Sequence, residues 1–210
     1  MDGAYPDRPS RVRAMRTLRR ICVYAGSNAG SNPAYATAAR ALGAELAARG
    51  VGLAYGGGRV GLMGEIADAV MSGGGEAIGV IPEALFDREL GHRGLTDLRV
   101  VGSMHERKAM MAELADGFLA LPGGIGTLEE LVEAMTWSQL GIHDKPCAVL
   151  DAAGFYSGLG GFLDHMVAEG FLHERSRAGL LAHAEPGPLL ERMAAWEPPN
   201  VHKWLDLEQS

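Results

Sequence analysis

The sequence predicts an α/β protein in which helices cover both faces of a parallel sheet. Its apolar runs are short and continuous, as in residues 51–55 and 147–150, and they alternate with longer segments of helical periodicity. Strands that are apolar at every position are typical of parallel sheets buried on both faces. Three of the runs lead into glycine-rich turns. Because ligands bind at the carboxyl ends of the strands in such sheets, these turns indicate a ligand site at one edge.

Glycine and proline delimit most of the predicted elements. Strands are expected at 21–25, 51–55, 77–81, 98–101, 117–121 and 147–150, because each is a short, largely apolar run bounded by turn residues. Helices are expected from Pro33 to Arg49, from the turn at 56–58 to about Gly73, over 104–115, after Pro122, over 155–169, and from Glu185 to Pro198.

The composition indicates a soluble chain with one globular domain, predicted at 19–197. Apolar residues make up 47% of the 210 residues and charged residues 21%, and the apolar runs are far shorter than the ~20 residues of a membrane span. The net charge of −7 argues against nucleic acid as a partner. Cys22 and Cys147 lie in apolar strands, which predicts reduced, buried thiols in a cytoplasmic protein. The histidines show no metal-ligand spacing, so no metal is expected.

The two ends of the chain are predicted to lie outside this domain. Residues 198–210 are expected to form a C-terminal tail, and residues 1–18 a flexible basic arm. Only Asp2 and Asp7 oppose the arginines in and next to this arm, which stand at positions 8, 11, 13, 16, 19 and 20. A tail that binds a polyanion is the alternative interpretation of the arm.

The segment from Pro122 to Glu130 carries the strongest signal for function. It reads Pro-Gly-Gly-Ile-Gly-Thr-Leu-Glu-Glu and follows an apolar strand. Glycines let the backbone approach a ligand, and free N–H groups at a helix start attract phosphate. A carboxylate in the first helical turn repels phosphate unless it acts on another part of the ligand. We therefore expect an enzyme that acts on a nucleotide, with Thr127 and two carboxylates in that first turn.

A capping box is the alternative role for Glu130. Thr127 and Glu130 have the spacing in which a glutamate reaches back to the N-cap amide. Helical periodicity puts Glu130 beside Thr127 and points Glu129 towards solvent. It also predicts a core-facing apolar stripe of Leu128, Leu131, Val132 and Met135.

The turn after the second strand matches a dinucleotide-binding fingerprint in part. Gly56, Gly58 and Gly61 satisfy G-x-G-x-x-G between a strand and a helix. The acid that should end the next strand has a match in Glu83, but Pro82 interrupts the approach to it. Glycines that permit tight strand–helix packing are the alternative interpretation.

The helix at 104–115 places two cations within an apolar face. Met104, Arg107, Lys108 and Met111 share this face together with Leu114 and Ala115. Cations there are costly unless they meet anions at its edge or extend their charged ends to water. An anionic ligand or a catalytic carboxylate is the expected partner.

Four segments together are similar to the LONELY GUY family. These are Gly-Gly-Gly-Arg-Val-Gly-Leu-Met-Gly (56–64), Met-His-Glu-Arg-Lys (104–108), the segment 122–130, and Thr-Trp-Ser-Gln-Leu-Gly-Ile-His-Asp-Lys-Pro (136–146). The family comprises cytokinin riboside 5′-monophosphate phosphoribohydrolases, often mislabelled as lysine decarboxylases. The resemblance covers about residues 20–195. It implies a Rossmann-like fold, a homodimer, and release of free adenine-type base and ribose 5-phosphate without a cofactor.

The resemblance also implies roles for particular residues. Arg107 and Glu130 would be catalytic, with Glu130 stabilising the oxocarbenium-like transition state and Arg107 holding it ionised. Asp87 stands where the family often has proline, just before Glu89. The residues implied in substrate binding are Glu89, Lys108, Gly123, Gly124, Ile125, Gly126, Thr127, Leu128, Glu129, Gly57 and Gly58.

Two other classes of protein remain as alternatives. A pyridoxal-phosphate-dependent decarboxylase would use the phosphate site and a Schiff-base lysine, Lys108 or Lys145. A non-catalytic carrier of a nucleotide or cofactor would bind on the same fold without turnover.

Overall fold

A computed structural model describes residues 16–86 and 91–198. In this part of the chain seven parallel strands form one sheet in the order β4-β3-β2-β1-β5-β6-β7. The strands are β1 Arg20–Tyr24, β2 Gly52–Tyr55, β3 Ala77–Pro82, β4 Asp97–Val101, β5 Gly117–Ala120, β6 Cys147–Leu150 and β7 Leu180–His183. The helices are α1 Pro33–Ala48, α2 Gly61–Ser72, α3 Glu83–Phe86, α4 Met104–Leu114, α5 Ile125–Gln139, α6 Ser157–Ala168, α7 Glu174–Ala178 and α8 Pro186–Ala195, with a short 3-10 helix at Ala152–Gly154.

All six predicted strands are confirmed to within one residue at either end. The sequence did not predict β7, because this edge strand is only partly buried and lacks a continuous apolar signature. It also did not predict α3 and α7, which have four and five residues and are too short to show helical periodicity. The predicted helix at 155–169 begins later, after the 3-10 turn in which Ala153 has a φ of 52°.

The core lies on both faces of the sheet because the strand side chains alternate. Ile21 and Val23 pack with α1, α2 and α8 on one face. Cys22 and Tyr24 pack with α4, α5 and α6 on the other. Burial raises the pKa of Cys147 to about 12 and that of Cys22 still further, so both free thiols are inert packing groups, as the sequence predicted.

The chain order reverses at β1, which has β2 on one side and β5 on the other. The loops that leave β1 and β5 diverge to opposite faces at such a point, and the crevice between them is where ligands bind in open α/β sheets. The fold therefore locates a site at the carboxyl ends of these two strands.

The ends of the chain fall mostly outside the described residues. This holds for 1–15 of the predicted arm and for 199–210 of the tail. The last residues of the arm contact the domain: the Arg16 N–H donates to the Ala194 carbonyl, and Leu18 packs against the core. Within the described chain, no helix has the length and apolarity required to cross a bilayer.

Candidate active site

Three glycine-containing loops meet at the carboxyl ends of the central strands, where the chain order reverses. They are hydrogen-bonded to one another. The Gly26 N–H donates to the Pro122 carbonyl at 3.1 Å, and the Leu62 N–H donates to the Gly26 carbonyl at 3.0 Å. Gly61 has a φ of 61°, and a Cβ there would lie 2.3 Å from the Ser27 carbonyl carbon. The loops after β1, β2 and β5 are thus packed together at backbone contact distance and form a rigid floor.

A cleft of about 380 Å³ opens above this floor. One part of its wall is polar and comes largely from α4 and α5, and another part is apolar. The lining residues are Ala25, Gly26, Ser27, Met63, Leu85, Met104, Arg107, Gly124, Ile125, Gly126, Thr127, Glu129 and Glu130.

Helix α5 begins in the cleft without a side-chain cap. Its N-cap is Gly124, and its first helical hydrogen bond runs from the Leu128 N–H to the Gly124 carbonyl at 3.1 Å. The N–H groups of residues 125–127 therefore precede the first i→i−4 bond. Since all three residues line the cleft, this helix start has the donor geometry and the dipole that suit a phosphate.

This helix start corrects two predictions. Thr127 is the third residue of α5 rather than its N-cap, so Thr127 and Glu130 do not form a capping box. The carboxylates of Glu129 and Glu130 lie in the second turn, beyond the N–H groups that precede the first helical bond. Both side chains line the cleft, and Glu130 is half-buried.

The predicted apolar stripe of α5 divides between two faces. Leu131 is fully buried with Ala134 and Thr127, whereas Val132 is 45% exposed. The cause is the register of α5 on the sheet, which turns the row containing Thr127 and Leu131 inwards. The prediction that Val132 belongs to the core is therefore wrong.

Arg107 carries a buried charge beside the cleft. It is 6% exposed, and its Nη2 donates to the Gly56 carbonyl at 3.3 Å, with Nη1 3.8 Å from the Met104 sulfur. Its Nε is buried and has no hydrogen-bond partner among the described residues. A Cβ at Gly56 would lie 1.9 Å from Nη2. A buried guanidinium with donors to spare is expected to meet an anion.

Arg107 and Glu130 both affect the pKa of Cys22, which lies on β1. Burial is the main cause of the raised pKa of its thiol, Glu130 raises the pKa further, and Arg107 lowers it. Both of these side chains, which are the two predicted catalytic ones, line the same cleft, Arg107 from α4 and Glu130 from α5.

Lys108 binds protein carboxylates rather than lining the cleft. Its Nζ lies 2.7 Å from Glu129 Oε1 and 2.9 Å from Glu133 Oε1, and its side chain is 13% exposed. The hydrogen bond to Glu129 is the main cause of its raised pKa. Glu129 was expected to be solvated; it is exposed but paired. Glu133 was not predicted from the sequence, although its i, i+4 spacing from Glu129 puts both carboxylates on one face of α5.

The other residues predicted to bind substrate are not among the described residues that line the cleft. Gly57 and Gly58 are buried and do not line the cleft. Gly123 does not line it either, and a Cβ there would lie 2.1 Å from Thr127 Oγ1. Leu128 is half-buried on the side of α5. Glu89 lies outside the described residues. The alternative role of the Gly56–Gly58 turn, tight packing, accounts for its burial.

Sequence reasoning missed the other lining residues because they come from separate elements. Ser27 follows β1, Met63 lies on α2 and Leu85 on α3. Met63 lies in the segment 56–64 that resembles the family, but that resemblance assigned it no role, and Leu85 lies in none of the four segments. The available signal was the topology, since every loop at the carboxyl end of the central strands can reach a site there.

The chain is similar to a known protein family and to plant relatives. Residues 63–193 match the family model described as "Possible lysine decarboxylase". The chain is 48% identical over 191 residues to the probable cytokinin riboside 5′-monophosphate phosphoribohydrolase LOGL6 of Oryza sativa subsp. japonica, covering 89% of this chain and 76% of that protein. It is 46% identical over 181 residues to the cytokinin riboside 5′-monophosphate phosphoribohydrolase LOG1 of Arabidopsis thaliana, covering 86% of this chain and 85% of that protein.

A more distant likeness concerns the fold alone. The molybdenum cofactor carrier protein of Chlamydomonas reinhardtii is 22% identical and superposes with a TM-score of 0.62, covering 85% of this chain and 96% of that protein. With the family match, the two plant relatives and the motif at the start of α5 in agreement, the chain belongs to the LOG family of cytokinin riboside 5′-monophosphate phosphoribohydrolases.

Proposed function

We propose that this protein hydrolyses the N-glycosidic bond of adenosine 5′-monophosphates, including N6-modified ones, and releases the free base and ribose 5-phosphate. The observation that carries the proposal is one cleft in which the uncapped start of α5, the buried Arg107 and the half-buried Glu130 come together. Family membership with relatives named for this activity supports it.

The phosphate binds at the start of α5. The N–H groups of residues 125–127 donate to its oxygens, and the helix dipole favours its charge. Thr127 and Gly126 bring no competing acid into this turn. Losing the phosphate removes charge-assisted hydrogen bonds that position the sugar, so a nucleoside is a much poorer substrate than its monophosphate.

Glu130 acts on the ribose. As the bond between C1′ and the base breaks, positive charge develops on the ribose, and a nearby carboxylate stabilises that charge and orients the attacking water. The oxygen of the water bonds to C1′, and a proton of the water passes to the departing base. Arg107 favours the ionised form of Glu130 and fixes its position.

The apolar wall of the cleft suits the base. Met63, Leu85 and Met104 offer flexible apolar surface that accommodates an aromatic ring and an apolar substituent on it.

Schiff-base chemistry has no suitable lysine in the described part of the chain. Lys108 is held by Glu129 and Glu133, which raise its pKa and keep it protonated, whereas an imine requires a neutral amine. Lys145 donates to the Ala112 carbonyl at 2.7 Å and lies over the ring of Phe118. Neither lysine lines the cleft, which disfavours the decarboxylase alternative.

The protein acts as a homodimer through the exposed side of α5. Ile125 is 82% exposed and Val132 45%, and half-buried Leu128 lies between them at helical spacing. Since Ile125 lines the cleft, a second copy seated there would border the site. Val132→Glu should lower the mass measured by light scattering to that of a monomer, while Phe171→Glu, at another exposed apolar residue, should not. A Val132→Glu variant with unchanged mass would contradict this assignment.

We propose that the protein acts in the cytoplasm and without nucleic acid as a partner. The two buried thiols suit the reducing cytoplasm. The net charge of −7 disfavours nucleic acid as a partner.

The decisive experiment is turnover of AMP, N6-isopentenyl-AMP and adenosine by the purified full chain, with the products separated by chromatography. Free base should appear from the two monophosphates and not from adenosine. Equal cleavage of adenosine and AMP would refute the phosphate site. Tight binding of AMP without release of base would favour a carrier.

A further inference from the structure

We infer that His92 is a positioning residue for Arg107, acting through the turn formed by Gly56, Gly57 and Gly58. This inference rests on the proposed function, because it explains how the arginine of that site is held. His92 lies between β3 and β4 and does not line the cleft.

The imidazole of His92 is buried and fully hydrogen-bonded. The residue is 5% exposed; its Nδ1 accepts from the Gly94 N–H at 3.1 Å, and its Nε2 lies 2.9 Å from Asp68 Oδ1. Because Nδ1 accepts, the proton of the neutral ring is on Nε2 and is donated to Asp68. Asp68 lies on α2, so the side chain of His92 is tied to a rigid helix.

The backbone of His92 supports the glycine turn. Its N–H donates to the Gly57 carbonyl at 2.9 Å, and its neighbour Gly91 forms an antiparallel bridge with Gly58. Gly57 has a φ of 77°, a conformation that glycine adopts without strain. The turn depends on such contacts to keep one orientation.

The other side of the same turn holds Arg107. The Gly56 carbonyl, one peptide before the Gly57 carbonyl, accepts from Nη2 of Arg107. The Met104 sulfur is a weak second partner of the guanidinium, and Nε has none among the described residues. The hydrogen bond to the Gly56 carbonyl therefore ties the guanidinium to the glycine turn and helps to orient it.

These contacts form one route from α2, on one face of the sheet, to α4 on the other. Asp68 holds the ring of His92, His92 holds the Gly57 peptide, and the adjoining Gly56 carbonyl holds Arg107. The Gly56 and Gly57 carbonyls belong to adjacent peptides that meet at the Cα of Gly57, so a displacement of this Cα when the contact to His92 is lost also displaces the Gly56 carbonyl. A misplacement of about 1 Å in a catalytic group can cost about 10²-fold in rate.

Two substitutions at His92 distinguish its hydrogen bond to Asp68 on α2 from its hydrogen bond to the Gly94 N–H. Gln can place an amide donor near the position of Nε2 and so reach Asp68, whereas Asn can place a carbonyl acceptor near the position of Nδ1 and so reach only Gly94. We expect His92→Gln to keep kcat for AMP within about threefold of the parent. His92→Asn should lower kcat about tenfold or more with little change in KM, because the phosphate site on α5 is untouched.

Asp68 offers a matched pair on the other side of the contact. Asp68→Asn keeps an oxygen acceptor and should resemble the parent, whereas Asp68→Ala should resemble His92→Asn. In an Arg107→Ala background, His92→Asn should lower turnover no further, since residues that act through one group are non-additive.

A readout independent of activity separates this inference from the proposed function. The NMR signal of the Arg107 Nε–H, identified by its loss in Arg107→Lys, should shift or broaden in His92→Asn and Asp68→Ala, and stay unchanged in His92→Gln and Asp68→Asn. An unchanged signal in all four variants would overturn the inference whether or not the protein cleaves AMP. Parent-like kcat in His92→Asn, or losses that multiply with Arg107→Ala, would also overturn it.

Discussion

The two helices that carry the catalytic candidates begin in opposite ways. At the start of α4, the Ser103 hydroxyl accepts from the Glu106 N–H at 3.1 Å, and Glu106 Oε2 accepts from the Gly102 N–H at 2.9 Å. At the start of α5, the N-cap is Gly124, which has no side chain with which to cap the helix. One helix has a side-chain cap on an N–H of its first turn, and the other presents the N–H groups of its first turn to a cleft.

This difference shows that the same sequence spacing serves stability in one place and function in another. Ser103 and Glu106 have the spacing of a capping box and form side-chain caps at the start of α4, whereas Thr127 and Glu130 have that spacing and lie inside a helix that began earlier. A side-chain cap on α5 would compete with a phosphate for the same donors.

Replacing Glu130 on α5 or Glu106 on α4 with glutamine should give the largest difference in turnover between the two helix starts. Glu130→Gln should lower turnover of AMP on the order of 10²–10⁴-fold, because the amide has neither the charge nor the basicity. Its affinity for AMP should be preserved, because the phosphate donors remain. Glu106→Gln should turn over like the parent, because glutamine serves in a cap. Steady-state kinetics and nucleotide titration of both variants check this, and parent-like turnover by Glu130→Gln would remove it from the mechanism.

Adding a side-chain cap to α5 should weaken the binding of AMP and raise the stability of the protein. Gly124 has a φ of −91°, and a Cβ there meets nothing within 4 Å, so Gly124→Asp fits. Its carboxylate would accept from an N–H of the first turn and repel phosphate, which should raise the KM for AMP about 10- to 100-fold. Stability should rise by a few tenths of a kcal/mol.

Gly124→Ala is the control for that variant, because it adds a Cβ without an acceptor or a charge. Kinetics and thermal unfolding measured side by side distinguish the two variants. An unchanged KM in Gly124→Asp would mean that phosphate does not bind at this helix start.

Removing the cap of α4 should have the smallest effect on activity. Ser103→Ala should cost about 1 kcal/mol of unfolding free energy, while Ser103→Gly should cost only a few tenths. Turnover should stay within a few-fold of the parent in both, because the cap lies outside the cleft lining. Urea unfolding gives the free energies, and a large loss of turnover in Ser103→Ala would show that the α4 start serves the site directly.

The sequence by itself determined six of the seven strands in the described residues, the sheet type and the edge that holds the candidate site. Continuous apolar runs such as that of β6 can be satisfied only by burial on both faces, and glycines after them locate the turns. The motif at the start of α5 indicated a phosphate site, because the N–H groups that bind phosphate at a glycine-rich helix start come from consecutive residues. These features depend on residues close together in the chain.

Only the tertiary structure decided which groups from distant parts of the chain come into contact. The Gly56 carbonyl and Arg107 are 51 residues apart, and Lys108 and Glu133 are 25 apart. The register of α5 on the sheet decided that Leu131 is buried and Val132 exposed, although both fit the same apolar periodicity. Such outcomes follow from how distant elements pack, and packing depends on the shape and position of the partner, which local sequence does not encode.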